Sequence, residues 1–268
     1  MALERLQDYC LTGTALEGEF IVDDHAHMGP WNNFNVPEGG SAAAMVRSMD
    51  TLGIDVTIAS PHIAIGPDYL EGNRQVAEAA EQFPDRLLPY ITINPNYPLE
   101  EIEAEIRHWH ETTGIKGFKL HPSLHKATTL DDGYTPVYEY CQEHGLPILS
   151  HCWNGEGGLE KVIATLSERY PAVSFLNAHS SSTWEVIEQN CKVAREYEQY
   201  YLDLAGSVLL YGGLETMVER VGAEKILFGT DVPFIDPRPG LGRMLCARIS
   251  DEDKRKILGL NAKRIFGI

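Results

Sequence analysis

Apolar runs alternate with amphipathic stretches from one end of the chain to the other. The runs at 20–27, 56–62, 87–95, 115–122, 147–152, 174–180, 200–206 and 226–233 read as strands. They are nearly continuous in apolar character rather than alternating, which suits a parallel sheet covered on both faces. Between them, 41–52, 68–83, 98–113, 135–144, 159–170, 183–197 and 214–221 read as helices, and 241–247, 251–258 and 261–266 follow the last strand. In 98–113, Ile102, Ile106 and Trp109 recur at i, i+4 and i+7 and make one apolar stripe. Ser41, Thr135 and Thr183 are expected N-caps, and Pro98 suits a first helical turn. Gly53, Gly114 and Gly145 fall just past helix ends, where a left-handed residue is often needed.

Eight strands alternating with helices, spaced about 25–35 residues apart, predict a (β/α)8 barrel with its active site at the C-terminal ends of the strands. A doubly wound open sheet is the runner-up, but no glycine-rich phosphate loop follows the first strand. With 268 residues and no linker, repeat or low-complexity stretch, residues 1–268 are expected to form a single domain.

Charge and cysteine usage narrow the partners. A formal net charge of −17 argues against nucleic acid or an anionic membrane surface and leaves a small molecule as the expected partner. No apolar run approaches the ~18 residues that span a bilayer. Residues 1–19 carry Glu4, Arg5 and Asp8 and lack the apolar core of a secretory signal, so a cytoplasmic location is expected. The five cysteines form no CxxC pair and are expected to be free thiols. Cys152 follows His151 and should face the other side of its strand.

The chemistry concentrates at the predicted strand ends. Residues 23–27 read Asp-Asp-His-Ala-His, and the alternation of a strand puts His25 and His27 side by side. The other ends bring His62, Asn94 with Asn96, Lys119 with His121, His151, His179, Gly206 and Asp231 toward one mouth. His108, His110, His125 and His144 fall in helices or loops and read as surface residues. Histidine and aspartate ligands without cysteine suit zinc, or manganese, iron or cobalt.

These residues resemble the amidohydrolase superfamily, in its compact metal-dependent branch related to aminocarboxymuconate-semialdehyde decarboxylase. The matching pieces are Asp23-x-His25-x-His27, Gly117-Phe-Lys119-Leu-His121-Pro122, His151, Asn177-Ala-His179, Gly229-Thr-Asp231 and the closing 261–267 segment. The resemblance implies that His25, His27, His151 and Asp231 hold a single divalent ion, zinc being the expected one. It also implies that Asp231 takes a proton from water, that His179 acts as acid or base, and that Asp23 supports the first strand's end. In binuclear members a fourth-strand lysine is carboxylated and bridges two metals. If Lys119 is so modified, His25, His27 and Asp231 would hold one ion and His151 with His179 a second. If it is not, Lys119 is a cation facing the substrate. His62 and His121 could touch substrate or make structural bonds near it. Trp31, Asn33, Phe34, Trp153 and Arg238 lie in loops that could line a pocket, and specificity is expected to reside in loops 29–40, 153–158 and 234–241.

The expected function is a metal-dependent hydrolase in which metal-activated water attacks an ester, lactone or amide carbonyl of a small carboxylated compound. The alternative is a metal-dependent non-oxidative decarboxylase of a small aromatic or muconate-like acid. Metal binding without turnover is the third reading, and the ring of acid–base groups argues against it. A homodimer is expected by resemblance alone.

Overall fold

The computed structural model describes residues 5–33, 35–153, 158–208 and 210–268. Among the described residues nine strands are seen: β1 (Val22–Met28), β2 (Val56–Pro61), β3 (Leu87–Pro89), β4 (Ile91–Thr92), β5 (Phe118–Leu120), β6 (Pro147–Ser150), β7 (Ser174–Asn177), β8 (Tyr200–Asp203) and β9 (Ile226–Leu227). Every pairing is parallel, in a three-stranded sheet β1-β2-β3 and a six-stranded sheet β4-β5-β6-β7-β8-β9.

The two sheets are parts of one ring, a (β/α)8 barrel. The expected third strand divides at Tyr90, whose N–H donates to Ala59 O (2.9 Å), while the next residue, Ile91, donates to Gly117 O (3.1 Å). The other seam closes through Asp24 N to Phe228 O (3.0 Å) and Asp231 N to His25 O (2.8 Å).

Helices alternate with the strands as the apolar stripes require. Ser41 and Thr183 cap as expected, accepting from Ala44 N (3.3 Å) and Val186 N (3.2 Å). Thr135 does not cap: a 3-10 turn at Asp132–Tyr134 runs into the helix, so Thr135 is its first residue. Most expected strands end short of their expected bounds, two of them because His62 and Pro122 each open a single helical turn, His62–Ile65 and Pro122–His125. The helix after β9 begins earlier than expected, at Pro237, since Asp236 accepts from Arg238 N (3.0 Å).

The larger core lies between the strands and the helices. A second cluster fills the barrel axis with Val22, Ile58, Tyr90, Leu149, Leu176 and Leu227. Ala262 and Phe266 of the closing helix Asn261–Phe266 seal it at the N-terminal ends of the strands. Each such buried aliphatic or aromatic side chain contributes about 1.5–3 kcal/mol of transfer free energy. Above this plug the interior turns polar, with Asp24, His25, His27, Lys119, His179 and Asp203 buried and His151 partly so. A rigid apolar floor therefore carries a charged upper layer. Among the described residues no helix is long and apolar enough to cross a membrane.

Candidate metal centre

β1 departs from strict alternation at the point where the chemistry begins. Asp23 pairs with Thr57 and Ala26 with Ala59, so β1 holds one extra residue between them. This bulge leaves His25 and His27 on the mouth side and also keeps Asp24 buried at the seam. Asp23 stitches the bulge to the last strand: it accepts from His25 N (3.3 Å), Thr230 N (2.9 Å) and Thr230 Oγ1 (2.5 Å). Asp231, next in line, is thereby held at φ +64°, and His179 across the mouth stands at φ +57°. Left-handed backbone at a non-glycine residue costs of order 1–3 kcal/mol and persists only where the surroundings enforce it.

The ligand atoms converge. His27 Nε2 lies 3.4 Å and His25 Nε2 3.8 Å from Asp231 Oδ1. Both rings are fixed from behind: His25 Nδ1 bonds Asp203 Oδ2 (2.8 Å) and His27 Nδ1 bonds Ser60 O (3.0 Å). Both acceptors oblige Nδ1 to carry the proton, so each Nε2 presents a lone pair. Burial lowers the pKa of both rings, that of His25 well below the usual histidine range, so they stay neutral. Burial alone would raise Asp231, but His27, His179 and His25, to the extent that they carry a proton, pull it well below the usual carboxylate range. Two lone pairs and a carboxylate oxygen thus face one another, and only a cation can relieve that arrangement. His25, His27 and Asp231 form one group that could hold a metal, and His25, His179 and Asp203 a second.

Lys119 supplies one positive charge. It is completely buried, its Nζ 2.7 Å from His25 Nε2, and burial lowers its pKa to about 8. It therefore stands where it could be displaced, carboxylated or used as a cation.

His151 stands on the opposite side of the mouth and does not join the His25/His27/Asp231 group. Its ring lies 3.9 Å from His121 in a parallel stack, and its Nδ1 is 3.2 Å from His179 Nε2. His179 Nδ1 bonds Ala205 O (3.0 Å), so its Nε2 accepts from His151. Burial lowers His151 to about 2 and His62 to about 3, and His121 well below the usual range. His121 has the reverse tautomer, because its Nδ1 accepts from Leu124 N (3.4 Å) and leaves the proton on Nε2. His62 donates from Nδ1 to Gly29 O (2.7 Å) and joins an aromatic wall, 5.3 Å from His27 and Trp31 and 4.1 Å from Phe234.

Two acids escaped the sequence reading as site residues. Asp203 accepts from His25 Nδ1, His179 N (3.2 Å) and Ala205 N (2.9 Å). Among the described residues no donor faces either oxygen of Asp24; burial, the Asp203 charge and a hydrogen bond to the Asp203 carboxylate push it well above the usual carboxylate range. Of the two, Asp24 keeps a proton and Asp203 the charge. Gly229 makes the approach feasible: a Cβ there would lie 2.2 Å from Asp203 Oδ1 and 2.7 Å from His25 Cβ. Gly206 likewise clears the His179 ring, 3.2 Å from a would-be Cβ.

Other expectations fare unevenly. Trp31 joins the aromatic wall, and Trp153 packs 5.3 Å from His179. Phe34 and most of the 153–158 loop lie outside the described residues. Asn33 is exposed, and Arg238 is an exposed residue paired with Asp236 at the edge of a 540 Å³ cleft outside the ring. Asn94 and Asn96 bond each other and the His125 carbonyl, shaping a turn. His125 is not a surface residue: it is buried beside Tyr134, its Nδ1 3.3 Å from the hydroxyl, because the Pro122–His125 turn folds inward.

A family model described as amidohydrolase matches residues 22–268. No curated protein sequence matches the chain. Solved structures share the fold. An uncharacterized TIM-barrel protein from Bordetella bronchiseptica superposes with a TM-score of 0.73 at 20% identity, over 92% of this chain and 98% of that one. A 5-carboxyvanillate decarboxylase from Novosphingobium aromaticivorans, complexed with manganese and 4-hydroxy-3-methoxy-5-nitrobenzoic acid, gives 0.70 at 14% identity over 100% of both chains. The 4-oxalomesaconate hydratase from Rhodopseudomonas palustris gives 0.69 at 17% identity, over 92% of this chain and 96% of that one.

Proposed function

The chain belongs to the amidohydrolase family, and from that premise we propose that it is a metal-dependent hydrolase of a small carboxylated ester, lactone or amide. The observation that carries the reading is the set of unprotonated donors, His25 Nε2, His27 Nε2 and Asp231 Oδ1, facing one another in a buried pocket. These donors suit a divalent ion, with zinc the first candidate and manganese next. His151, within the field of Asp231 and Lys119, is the proposed fourth ligand. A bound ion would supply Lewis acidity, lowering the pKa of water and polarising a carbonyl.

The chain's own residues divide the remaining work. Asp231, ionised throughout the neutral range, accepts the proton from the attacking water. His179 is aimed by its Nδ1 bond to Ala205 O, which leaves Nε2 a lone pair; that nitrogen takes up the proton Asp231 removes from water and hands it to the leaving group. His151 donates to that same nitrogen and so holds the His179 ring in place. Lys119 and the Nε2 proton of His121 are the donors available to a substrate carboxylate or a developing oxyanion. Trp31, His62 and Phe234 exclude water on one side.

The aromatic wall favours a second reading, a non-oxidative decarboxylase of a planar aromatic acid. Decarboxylation is also the activity named for the Novosphingobium neighbour. Both readings are tested on metal-loaded protein with carboxyl-labelled substrates in oxygen-18 water. Hydrolysis retains all carbon and places one oxygen-18 in the product, whereas decarboxylation releases labelled carbon dioxide. Metal-independent turnover of either kind would refute the proposal.

A further inference from the structure

Two of the five cysteines meet outside the group of residues that line the mouth. Cys10 and Cys246, 236 residues apart, are both exposed free thiols, and their sulfurs lie 3.2 Å apart. Cys141, Cys152 and Cys191 are buried. The meeting is built into the packing. The turns Leu6–Asp8 and Tyr9–Thr12 pack against the helix Pro237–Cys246. Leu6 is buried in the main core, and its N–H donates to Asp251 Oδ2 (3.3 Å). That helix begins a few residues after Asp231 and Phe234, so the two sulfurs span the side of the barrel where β1 closes on β9.

We infer that Cys10 and Cys246 form a reversible intramolecular disulfide that staples the segment before β1 to the helix behind Asp231. A disulfide bond is about 2.05 Å, so the sulfurs need approach by only about 1 Å, within reach of side-chain rotation. The oxidant is a low-molecular-weight disulfide. One protein thiolate attacks it, releasing one small thiol and leaving a mixed disulfide; the second protein thiolate attacks the protein sulfur and releases the other. Two protein thiols thereby lose two electrons and two protons, and the small disulfide gains them as two thiols. Closing so long a loop restricts the unfolded chain strongly, and the oxidised form is expected to melt about 5 °C or more higher.

The test incubates the full chain with oxidised glutathione, then denatures, alkylates and digests it for mass spectrometry. The expected result is a peptide linking Cys10 to Cys246, three alkylated cysteines, and a higher melting temperature that dithiothreitol reverses. Cys10→Ser and Cys246→Ser, at exposed positions, each abolish both the link and the shift. Alkylation of all five cysteines, glutathione retained on either sulfur without a link, or a link without thermal stabilisation would overturn the inference.

Discussion

Replacing Asp203 by Asn should separate metal affinity from folding. Asp203 Oδ2 accepts from both His25 Nδ1 and His179 N, and Oδ1 accepts from Ala205 N. An amide has one acceptor oxygen. Placed at Oδ2, it turns its NH2 toward Ala205 N–H and forfeits that bond, at a cost of about 1–3 kcal/mol. Against this, burial raises the Asp203 pKa. Its ionised form is therefore disfavoured by folding at neutral pH, and removing the charge offsets part of the lost bond. The melting temperature should move by only a few degrees. Metal affinity should fall further, because the His25 ring loses its charged partner. Loss of such a partner weakens binding about 10–100-fold, or about 1.4–2.7 kcal/mol. Competition of Zn2+ or Mn2+ against a fluorescent chelator at pH 7.5 measures the affinity, and a circular dichroism melt measures the fold. A dissociation constant within twofold of the parent's, with the fold intact, would refute the role assigned to Asp203.

Buried neutral histidines predict an acid-labile fold. Burial lowers His125 to about 4, against about 6.5 for a free histidine, so the unfolded chain binds the extra proton between those values. Stability is therefore lost as pH falls through that window, by up to about 3 kcal/mol for this one group. His125→Gln should flatten the slope of unfolding free energy against pH by about one proton between pH 4 and 6, and an unchanged slope contradicts the account. Gly229→Ala should be more severe, since its Cβ would overlap Asp203 Oδ1 at 2.2 Å. Overpacking of this kind costs about 1–3 kcal/mol or more. The variant should bind metal at least tenfold more weakly in the same chelator assay, and parental affinity would show that the backbone yields freely. Lys119→Met distinguishes the two roles of that lysine. As a lone cation beside His25 it opposes a divalent ion, so the variant should bind metal at least as tightly as the parent; a carboxylated bridge predicts loss of metal.

Much of the fold was legible in the chain because barrel strands announce themselves as apolar runs ending in polar residues. His25, His27, His62, Lys119, His121, His151, His179 and Asp231 are linked to one another by ring and polar contacts. What was hidden depends on long-range geometry. Asp203 falls inside an expected strand whose end was read at Gly206, and only the fold brings His25 to it from 178 residues away. Asp24 drew no reading of its own, and no residue type marks the bulge beside it. The histidine tautomers follow from carbonyls on neighbouring strands and loops, such as Ser60 O and Ala205 O. His125 looked like a loop residue at the surface because nothing local shows that its turn is folded against Tyr134. Phe234 was read only as a loop boundary, although it packs against His27, His62 and Trp31.

The central claim is that one divalent ion binds among His25, His27 and Asp231, with Lys119 unmodified. It is tested most directly by the metal content per chain of protein purified without chelator, for the parent, His27→Ala and Lys119→Met. The account predicts close to one ion per chain in the parent and Lys119→Met, and a loss of most of it in His27→Ala. Two ions per chain that vanish in Lys119→Met, or full metal content in His27→Ala, would contradict it.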